Sequence, residues 1–329
     1  MNTTSRSSLA AVSVIIVNWN SGEHLANCLN HLVQQSVQPE RIWVVDNAST
    51  DGSATEIKAQ DNLSVLAMDS NLGFAEGNNY ALNLCTSEYV ALLNPDAFPE
   101  PDWLEKLLAT AVLHPKAAAF GSCQLSADKP ELLDGIGDTY HISGLVWREG
   151  HGRQASTTSS ISQEIFSPCA AAALYRREAL LEVEGFDKDY FCYVEDVDLG
   201  FRLRLAGYKA MIVPDAVVKH IGSVTTGGQH SDFAVYYGHR NLVWTYVKDM
   251  PGVLFWVFLP LHLLLNIVTL FWFSTKGQAG VIFRAKQDAV RGIPAMWRKR
   301  RSIQASRVAT YGDVLRVMNR RLLRWSRRS

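Results

Sequence analysis

The chain of 329 residues carries 32 basic and 32 acidic side chains, and 47% of its residues are apolar. This composition excludes a disordered protein and suffices for one large α/β domain with a terminal appendage. The five cysteines form no CxxC pair, which excludes metal knuckles and CxxC redox centres and indicates reduced thiols in the cytosol.

The N-terminal third alternates strand and helix patterns. Residues 1–11 are polar and lack the apolar core of a secretory signal, so we expect the catalytic part to remain in the cytoplasm. Residues 12–17 and 42–45 are continuous apolar strands, and apolar residues recur at helical spacing over 25–33 between them. Strands that are apolar on both faces predict a parallel sheet covered by helices, with ligands beyond the carboxyl ends of the strands. A third apolar strand is predicted over 89–93. The polar residues that follow the three strands are Asn18, Asn20, Asp46, Asn47, Asn94 and Asp96.

The middle of the chain is less regular. Pro101 fits the first position of a helix. Residues 121–167 are richer in Gly, Ser and Thr and predict irregular strands, with a mobile, substrate-serving loop around 154–163. A helix over 177–183 follows, then an acidic run, then a helix that ends near Gly207.

An apolar segment over 253–273 is long enough to cross a bilayer, although Pro260, His262 and Asn266 weaken that assignment. A single crossing would separate the catalytic part from a basic tail, and both belong on the cytoplasmic side. We therefore expect a re-entrant or interfacial helix pair, the second helix running over about 281–297. A buried helix of a soluble protein is the alternative.

The neutral net charge hides an asymmetry between the body and the tail. Residues 276–329 contain 15 basic and two acidic side chains, and subtracting them from the 32 of each sign leaves 17 basic and 30 acidic. Such a tail fits anionic lipid headgroups. Nucleic acid is the less favoured partner, and we predict none, because an apolar segment lies directly upstream.

Five segments in a fixed order carry a family resemblance: VSVIIVNWNS from position 12, VVDNASTDGS from 44, NLGFAEGNNYAL from 71, YVALLNPDAFPEPDWL from 89 and GFDKDYFCYVEDVDLGFRLRLAGY from 185. Together they resemble the family 2 glycosyltransferases of the GT-A fold, and among them the bacterial rhamnosyltransferase-like branch that builds cell-surface polysaccharides. The resemblance implies a Rossmann-like, mostly parallel sheet flanked by helices. The resemblance runs from about position 12 to 248. We therefore predict a catalytic domain over 1–248, and we interpret 249–329 as an apolar helix followed by a basic amphipathic helical tail for membrane association.

The resemblance assigns donor contacts to the first half of the chain. Val17 and Trp19 are the implied contacts of the nucleotide base, and Asp46 would accept its imide hydrogen. The alternative is that Asp46 only caps a turn. Residues Asn71, Gly73 and Asn78 lie in or beside the segment that the family wraps around the nucleotide.

The metal motif of the family is present here as Asn94, Pro95 and Asp96, so an amide replaces the first carboxylate. Asp96 is then the anionic ligand of Mg²⁺ or Mn²⁺, and Asn94 meets the ribose or a metal-bound water. In related enzymes a histidine at the position of His220 also binds the metal, although a lone histidine is more often structural.

The acidic run Glu195, Asp196, Val197, Asp198 precedes a helix. The family position makes Asp196 the general base that deprotonates the acceptor hydroxyl in an inverting transfer. Glu195 would orient the acceptor or a loop, and Asp198 would cap the helix or pair with Arg202 one turn later. Helix capping alone is the alternative for the whole run.

Two arginines complete the candidate residues. Arg202 occupies the place of the QxxRW signature of processive synthases but lacks its glutamine and tryptophan, which favours addition of one or a few sugars. Arg240 would meet a diphosphate of the donor or of a lipid acceptor, or would form a surface ion pair.

The favoured hypothesis is transfer of L-rhamnose from dTDP-L-rhamnose to a polyprenyl-linked saccharide at the cytoplasmic face of the inner (plasma) membrane, by a peripheral or monotopic enzyme. The second hypothesis keeps the enzyme but changes the donor to a UDP-hexose or another nucleotide sugar. A third, from another class, is a non-catalytic scaffold that binds nucleotide sugars. A dehydrogenase is excluded because no GxGxxG follows the first strand.

Overall fold

The computed structural model describes residues 11–55, 57, 61–222 and 231–321. The polar segment before residue 11 and the last eight residues of the basic tail lie outside the described residues. The strands are β1 (Val12–Asn18), β2 (Arg41–Asp46), β3 (Leu63–Ala67), β4 (Tyr89–Leu93), β5 (Ala97–Pro99), β6 (Ala117–Ser126), β7 (Leu133–Gly135), β8 (Asp138–Tyr140), β9 (Val146–Arg148), β10 (Gln163–Ile165), β11 (Ala172–Arg176) and β12 (Lys209–His220).

The helices are α1 (His24–Val33), α2 (Gly73–Leu82), α3 (Trp103–Leu113), α4 (Arg177–Glu182), α5 (Glu195–Leu205), α6 (Asp232–Asp249), α7 (Gly252–Thr275), α8 (Ala279–Ala305) and α9 (Tyr311–Val317). Their positions confirm the predicted order of elements. Helix α3 begins at Trp103, two residues later than expected, because Pro101 lies in the turn before it.

One large sheet has the strand order β10-β12-β6-β11-β4-β1-β2-β3. Strands β12, β6, β4, β1, β2 and β3 run in one direction, whereas β11 and β10 run in the other. The prediction of a mostly parallel sheet is therefore confirmed. Because β1, β2, β4, β6 and β12 all end at the same edge, the polar residues that follow them meet there.

Helices cover both faces of this sheet. The core on one face holds Leu25 and Leu29 of α1 with Trp103 and Leu107 of α3. The core on the other face holds apolar residues of α2, α4 and α5, among them Leu199. The sheet is thus buried on both sides, which explains the uninterrupted apolar strands in the sequence.

Helices α6, α7 and α8 pack together beside the sheet, with α8 parallel to α6 and α7 antiparallel to both. The indole of Trp244 on α6 donates to the carbonyl of Ala289 on α8, at 3.0 Å. The rings of Tyr246 on α6 and His262 on α7 stack with centroids 3.9 Å apart. The chain then returns to the body of the protein, where the amide of Asn319 donates to Tyr140 O, at the end of β8, at 2.9 Å.

Helix α7 is the one described helix that is long and apolar enough to cross a membrane by length and composition. Only Leu254, Phe255 and His262 of this helix are buried, which argues against a buried helix of a soluble protein. Its polar residues face the bundle, since Asn266 Oδ1 accepts a hydrogen bond from Lys286 Nζ at 2.6 Å. The exposed apolar side chains of α7, here called the α7 face, are Val253, Trp256, Val257, Leu263, Leu264, Ile267, Val268, Phe271 and Trp272.

Candidate active site

A cavity of about 1030 Å³ opens at the carboxyl edge of the sheet. It brings together nine of the residues predicted from the sequence, from the first strand to the end of the last. They are Val17, Trp19, Asn71, Gly73, Asn94, Asp96, Glu195, Asp196 and His220. The other four predicted residues, Asp46, Asn78, Arg202 and Arg240, do not line this cavity.

The indole of Trp19 lies at the mouth of the cavity, 37% exposed, just after β1. Asp46 lies behind it and is buried. Its Oδ1 accepts hydrogen bonds from Asn18 Nδ2 at 2.9 Å and from Ser49 Oγ at 2.6 Å. These contacts fulfil the turn-capping interpretation of Asp46, and its contact with a base stays a prediction.

The segment before α2 requires a glycine at position 73. Gly73 has φ +79°, and a Cβ there would lie 2.6 Å from Phe191 O. Asn71 Oδ1 accepts the amide of Gly73 at 2.8 Å, which fixes the turn. The side chain of Asn78 is buried in α2 and donates to Phe74 O, one turn earlier in the same helix, at 2.9 Å.

Asp96 and His220 face each other across the cavity floor. His220 Nε2 and Asp96 Oδ1 lie 3.4 Å apart, and this buried nitrogen has no hydrogen-bond partner among the described residues. On the other side of the ring, Nδ1 bonds Asp134 Oδ2 at 2.8 Å. Burial by itself lowers the pKa of His220. The carboxylates of Asp134 and Asp96 have the larger, opposite effect, so the pKa of His220 rises to about 9.

These residues fit a divalent cation. A buried carboxylate oxygen and an imidazole nitrogen converge on the cavity. The carboxylate suits either Mn²⁺ or Mg²⁺, and the imidazole favours Mn²⁺. Asp134 orients the imidazole from behind, as carboxylates behind metal-bound histidines usually do. The prediction did not include Asp134.

Asp196 lies in the first turn of α5 and lines the cavity. Its carboxylate accepts the amides of Ala170 at 3.1 Å and Val197 at 2.8 Å. Burial raises the pKa of Asp196, whereas these amides and the charge of Arg148 oppose the rise. Burial, and then the charge of Asp196, raises the pKa of Glu195 well above its ordinary value.

A second carboxyl group, Asp138, lies beside Asp196 and was missed by the sequence reasoning. Oxygen atoms of these two residues and Cys169 Sγ lie within 4.8 Å of one another. Arg148 joins this group to the metal side, because its Nη2 donates to Cys169 Sγ and its Nη1 to Asp134 Oδ2, both at 2.7 Å. Burial and the charge of Asp196 raise the pKa of Asp138 well above its ordinary value.

The available signal for this group was the stretch DGIGD at 134–138. A Cβ at Gly135 would lie 2.3 Å from Arg148 Cδ, so the arginine crosses the backbone where only glycine leaves room. Gly137 has φ +100° and turns the chain between the two aspartates. The two glycines therefore serve the placement of charged side chains.

The segment that leads into α5 is strained. Phe191, Tyr193 and Val194 have φ of 64°, 65° and 69°, a conformation that residues other than glycine rarely adopt. Each such residue costs about 1–3 kcal/mol and persists only where surrounding contacts impose it. Because Glu195 and Asp196 follow directly, this strain lies at the predicted catalytic position.

The two predicted arginines are engaged with the protein. Arg202 Nε donates to Asp198 Oδ2 at 2.9 Å, which confirms the predicted pairing one helical turn apart. Arg240 Nη2 donates to the carbonyls of Asp189 and Tyr190 at 3.0 and 2.9 Å. Contact of Arg240 with a diphosphate stays a prediction.

Comparisons with known proteins agree with this arrangement. The family model described as "Glycosyl transferase family 2" matches residues 13–183. The N-acetylglucosaminyl-diphospho-decaprenol L-rhamnosyltransferase of Mycobacterium tuberculosis is 27% identical over 268 residues, which are 70% of this chain and 85% of that protein. The pre-mycofactocin glycosyltransferase of the same organism is 31% identical over 221 residues, which are 64% of this chain and 42% of that protein.

Solved structures support the fold. The structure of GalNAc-T7 with UDP, GalNAc and Mn²⁺ is similar with a TM-score of 0.61 at 16% identity, over 74% of this chain and 48% of that one. The mannosyltransferase PcManGT from Pyrobaculum calidifontis, in complex with GDP-Man and Mn²⁺, has a TM-score of 0.54 at 17% identity, over 91% of this chain and 86% of that one.

Proposed function

This chain belongs to glycosyl transferase family 2, in a rhamnosyltransferase-like branch with the GT-A fold, and we propose that it is an inverting, metal-dependent enzyme that transfers a sugar from a nucleotide donor to a lipid-linked saccharide. The observation that carries the proposal is one cavity in which Asp196 shares the wall with the Asp96–His220 pair and with Trp19. A glycosyltransferase needs these three parts: a base, a diphosphate site and a platform for the nucleotide.

The donor side is formed by Val17, Trp19, Asn71, Gly73 and Asn94, with Asp46 and Asn78 behind it. The exposed indole of Trp19 offers a flat face on which a pyrimidine stacks. The buried carboxylate of Asp46 holds the turn after β2 and is the group proposed to accept the imide hydrogen of uracil or thymine.

The diphosphate side is formed by Asp96 and His220. A divalent cation bound there would neutralise charge on the departing nucleoside diphosphate. Asp134 holds His220 so that Nε2 points to the cavity, and Asn94 lies beside Asp96 for the ribose or a metal-bound water. Arg240 stays a proposed diphosphate contact.

Asp196 is the proposed general base. The amides of Ala170 and Val197 and the N-terminal dipole of α5 favour its ionised form, while burial keeps its basicity above that of an exposed aspartate. In the transfer, Asp196 takes the proton of the acceptor hydroxyl while the oxygen attacks the anomeric carbon opposite the diphosphate. Glu195 keeps its proton to higher pH than Asp196 does, so it can donate a hydrogen bond to the acceptor. Arg202 supports helix α5 through its ion pair with Asp198.

We propose dTDP-L-rhamnose as the donor, because the decaprenol-linked rhamnosyltransferase covers most of the chain. A UDP-hexose or another nucleotide sugar is the alternative, since Trp19 and Asp46 would accept uracil as well as thymine. The exposed α7 face supports attachment to the cytoplasmic face of a plasma membrane, as a peripheral or monotopic protein. That attachment would bring the site to a polyprenyl-linked acceptor among anionic lipids.

The test is release of nucleoside diphosphate from a panel of dTDP-, UDP- and GDP-sugars, with Mg²⁺, Mn²⁺ or a chelator, and with or without a membrane lipid extract. We expect release of dTDP from dTDP-L-rhamnose that needs metal and lipid. Asp196→Asn should lower kcat by about 10²–10⁴-fold while donor binding remains, because it removes the base alone. Asp96→Ala should weaken metal and donor binding together.

Each other outcome points to an alternative. Release from a UDP-sugar but not from dTDP-L-rhamnose would favour the second donor. Tight nucleotide binding without release from any donor, and with both variants like the parent, would favour a non-catalytic scaffold.

A further inference from the structure

The side chain of Asn241 on α6 is fully buried beneath the segment that precedes the base. Its Nδ2 donates to the carbonyl oxygens of Tyr190 at 3.0 Å, Cys192 at 3.0 Å and Tyr193 at 2.7 Å. Two amide hydrogens thus serve three acceptors, so at least one hydrogen bond is shared. The sequence of α6 alone does not predict that one of its side chains binds three carbonyls of a distant segment.

The orientation of this amide is fixed by its neighbour. Asn241 Oδ1 accepts a hydrogen bond from Arg240 Nε at 2.9 Å, and a guanidinium can only donate. The atom facing Arg240 must therefore be the oxygen, which turns the NH₂ group toward the three carbonyls. Arg240 itself binds Asp189 O and Tyr190 O and stacks on Trp244, with its Cζ 4.2 Å from the ring centroid.

The same segment is held from the other side by α2. The amides of Phe74 and Ala75, at the N-terminus of α2, donate to Phe191 O at 2.7 and 3.2 Å. The carbonyls of residues 189–193 are thus all bound by α2 or by the Arg240–Asn241 pair. These contacts oppose relaxation of the positive φ angles at Phe191, Tyr193 and Val194.

We propose that Asn241 is a positioning residue for Asp196, which it never touches. By holding the strained segment 190–194, it fixes where α5 begins and hence where the carboxylate of Asp196 meets the acceptor hydroxyl. This inference rests on the proposed general-base role of Asp196. Arg240 contributes by locking the Asn241 amide.

The first test is Asn241→Asp, which keeps the shape but replaces the donating NH₂ group with an oxygen that faces three carbonyls. Because a misplacement of about 1 Å costs about 100-fold in rate, we expect kcat to fall about 100-fold while the KM for the donor stays within about threefold. Arg240→Met removes the bond that orients the Asn241 amide and serves if Asn241→Asp does not fold. Because Arg240 is also a proposed diphosphate contact, its readout is the labelling of Cys192 described below, which should rise in the same direction but by less.

Asn79→Asp is the matched control. Asn79 Nδ2 donates to Phe186 O at 2.8 Å, and its Oδ1 accepts the amide of Phe186 at 2.8 Å, so this asparagine also holds a distant loop. That loop does not lead directly into the base. We expect Asn79→Asp to lower the melting temperature but to leave kcat of the folded protein within about threefold of the parent, well short of the roughly 100-fold loss expected for a displaced base.

A second readout does not depend on catalysis. Cys192 lies in the held segment and is half-buried, whereas the other four cysteines are buried. In Asn241→Asp, release of the segment should raise the rate of thiol labelling at Cys192 at least about tenfold. A tenfold increase corresponds to a free energy of local opening that is lower by about 1.4 kcal/mol. The added labelling should vanish when Cys192→Ser is introduced, and Asn79→Asp should leave the rate unchanged.

The outcomes separate the two proposals. A folded Asn241→Asp protein with parental kcat, or with parental labelling at Cys192, would overturn the positioning role. An increased KM with unchanged kcat would also overturn it, because it would assign Asn241 to donor binding. If the parent releases no nucleotide from any donor, the proposed function fails, whereas the labelling rate still reports whether Asn241 holds the segment.

Discussion

The three carboxyl groups around the base differ in the ease with which they ionise. Burial raises the pKa of all three. The charge of Arg148 stabilises the anions of both Asp196 and Asp138, but among the three only Asp196 also accepts the amides of Ala170 and Val197. Burial and the charge of Asp196 hold Asp138 and Glu195 well above their ordinary pKa. Asp196 is therefore the group that ionises first, which suits a base, and its two neighbours keep their protons longer.

This balance gives a prediction for pH dependence. A base must be ionised, so kcat/KM should fall as the pH drops through the raised pKa of Asp196. Arg148 lowers that pKa, so Arg148→Met should move the acidic limb of the profile to higher pH. Measurement of kcat/KM against pH at saturating metal checks this. Arg148→Lys, which keeps the charge, should leave the limb close to that of the parent, and an unmoved limb in Arg148→Met would contradict the assignment.

At the same scale, sequence reasoning found the residues of contiguous motifs and missed those that depend on packing. Asp96 follows a strand and Asp196 lies in the first turn of a helix, and both elements can be recognised locally. The roles of Asp134 and Asp138 depend on Arg148 reaching over Gly135, and that approach exists only after β7 and β9 come together. The spacing of these residues along the chain does not encode it.

At the scale of the element, α5 is joined to α6 through buried charges. Asp198 and Lys248 are fully buried, and Asp198 forms ion pairs with Lys248 and with Arg202. Lys248 also pairs with Asp187 at 2.6 Å. The pairing with Arg202 could be predicted because four residues make one helical turn, whereas Lys248 lies 50 positions away and meets Asp198 only through tertiary packing.

Lys248→Met should therefore destabilise the protein strongly. It leaves the carboxylates of Asp187 and Asp198 with one cation fewer in a buried site, and such a loss costs about 3–5 kcal/mol in the free energy of unfolding. Denaturant unfolding measures the cost. The matched control is Lys106→Met, which breaks an exposed pair with Asp102 and should cost less than about 1 kcal/mol. Equal effects of the two substitutions would contradict the importance of the buried cluster.

At the scale of the whole molecule, the sequence predicted an apolar helix and a basic tail, but not how they are arranged. Helix α8 packs along α6 and returns the chain to the catalytic part, where Lys299 pairs with Asp187 and Asp189. Arg300 is buried and donates to Val247 O at 3.0 Å. Some of the basic residues of the tail thus attach α8 to the rest of the protein. The amphipathic periodicity of the sequence alone cannot distinguish basic residues with this structural role from basic residues that bind lipid.

The α7 face is a second candidate for contact with lipid, beside the basic tail. Two polar residues in the middle of the helix, His262 and Asn266, already have partners inside the bundle, and the α7 face itself is apolar. Each large apolar side chain that leaves water contributes about 1.5–3 kcal/mol. The measurement is co-sedimentation with vesicles of phosphatidylglycerol and phosphatidylethanolamine. The parent should sediment with the vesicles, whereas the protein with both Ile267→Asp and Phe271→Asp should stay in the supernatant.

The control for this experiment is Val112→Asp combined with Leu113→Asp, which places the same charges on exposed apolar positions of α3, outside the bundle. This control should sediment with the vesicles like the parent. Salt separates the two contributions, because screening weakens attraction of the basic tail to anionic lipid but leaves the burial of apolar side chains. Release of the parent by high salt alone would assign docking to the tail, and vesicle binding by the α7 double variant at parental strength would remove the α7 face from the membrane contact.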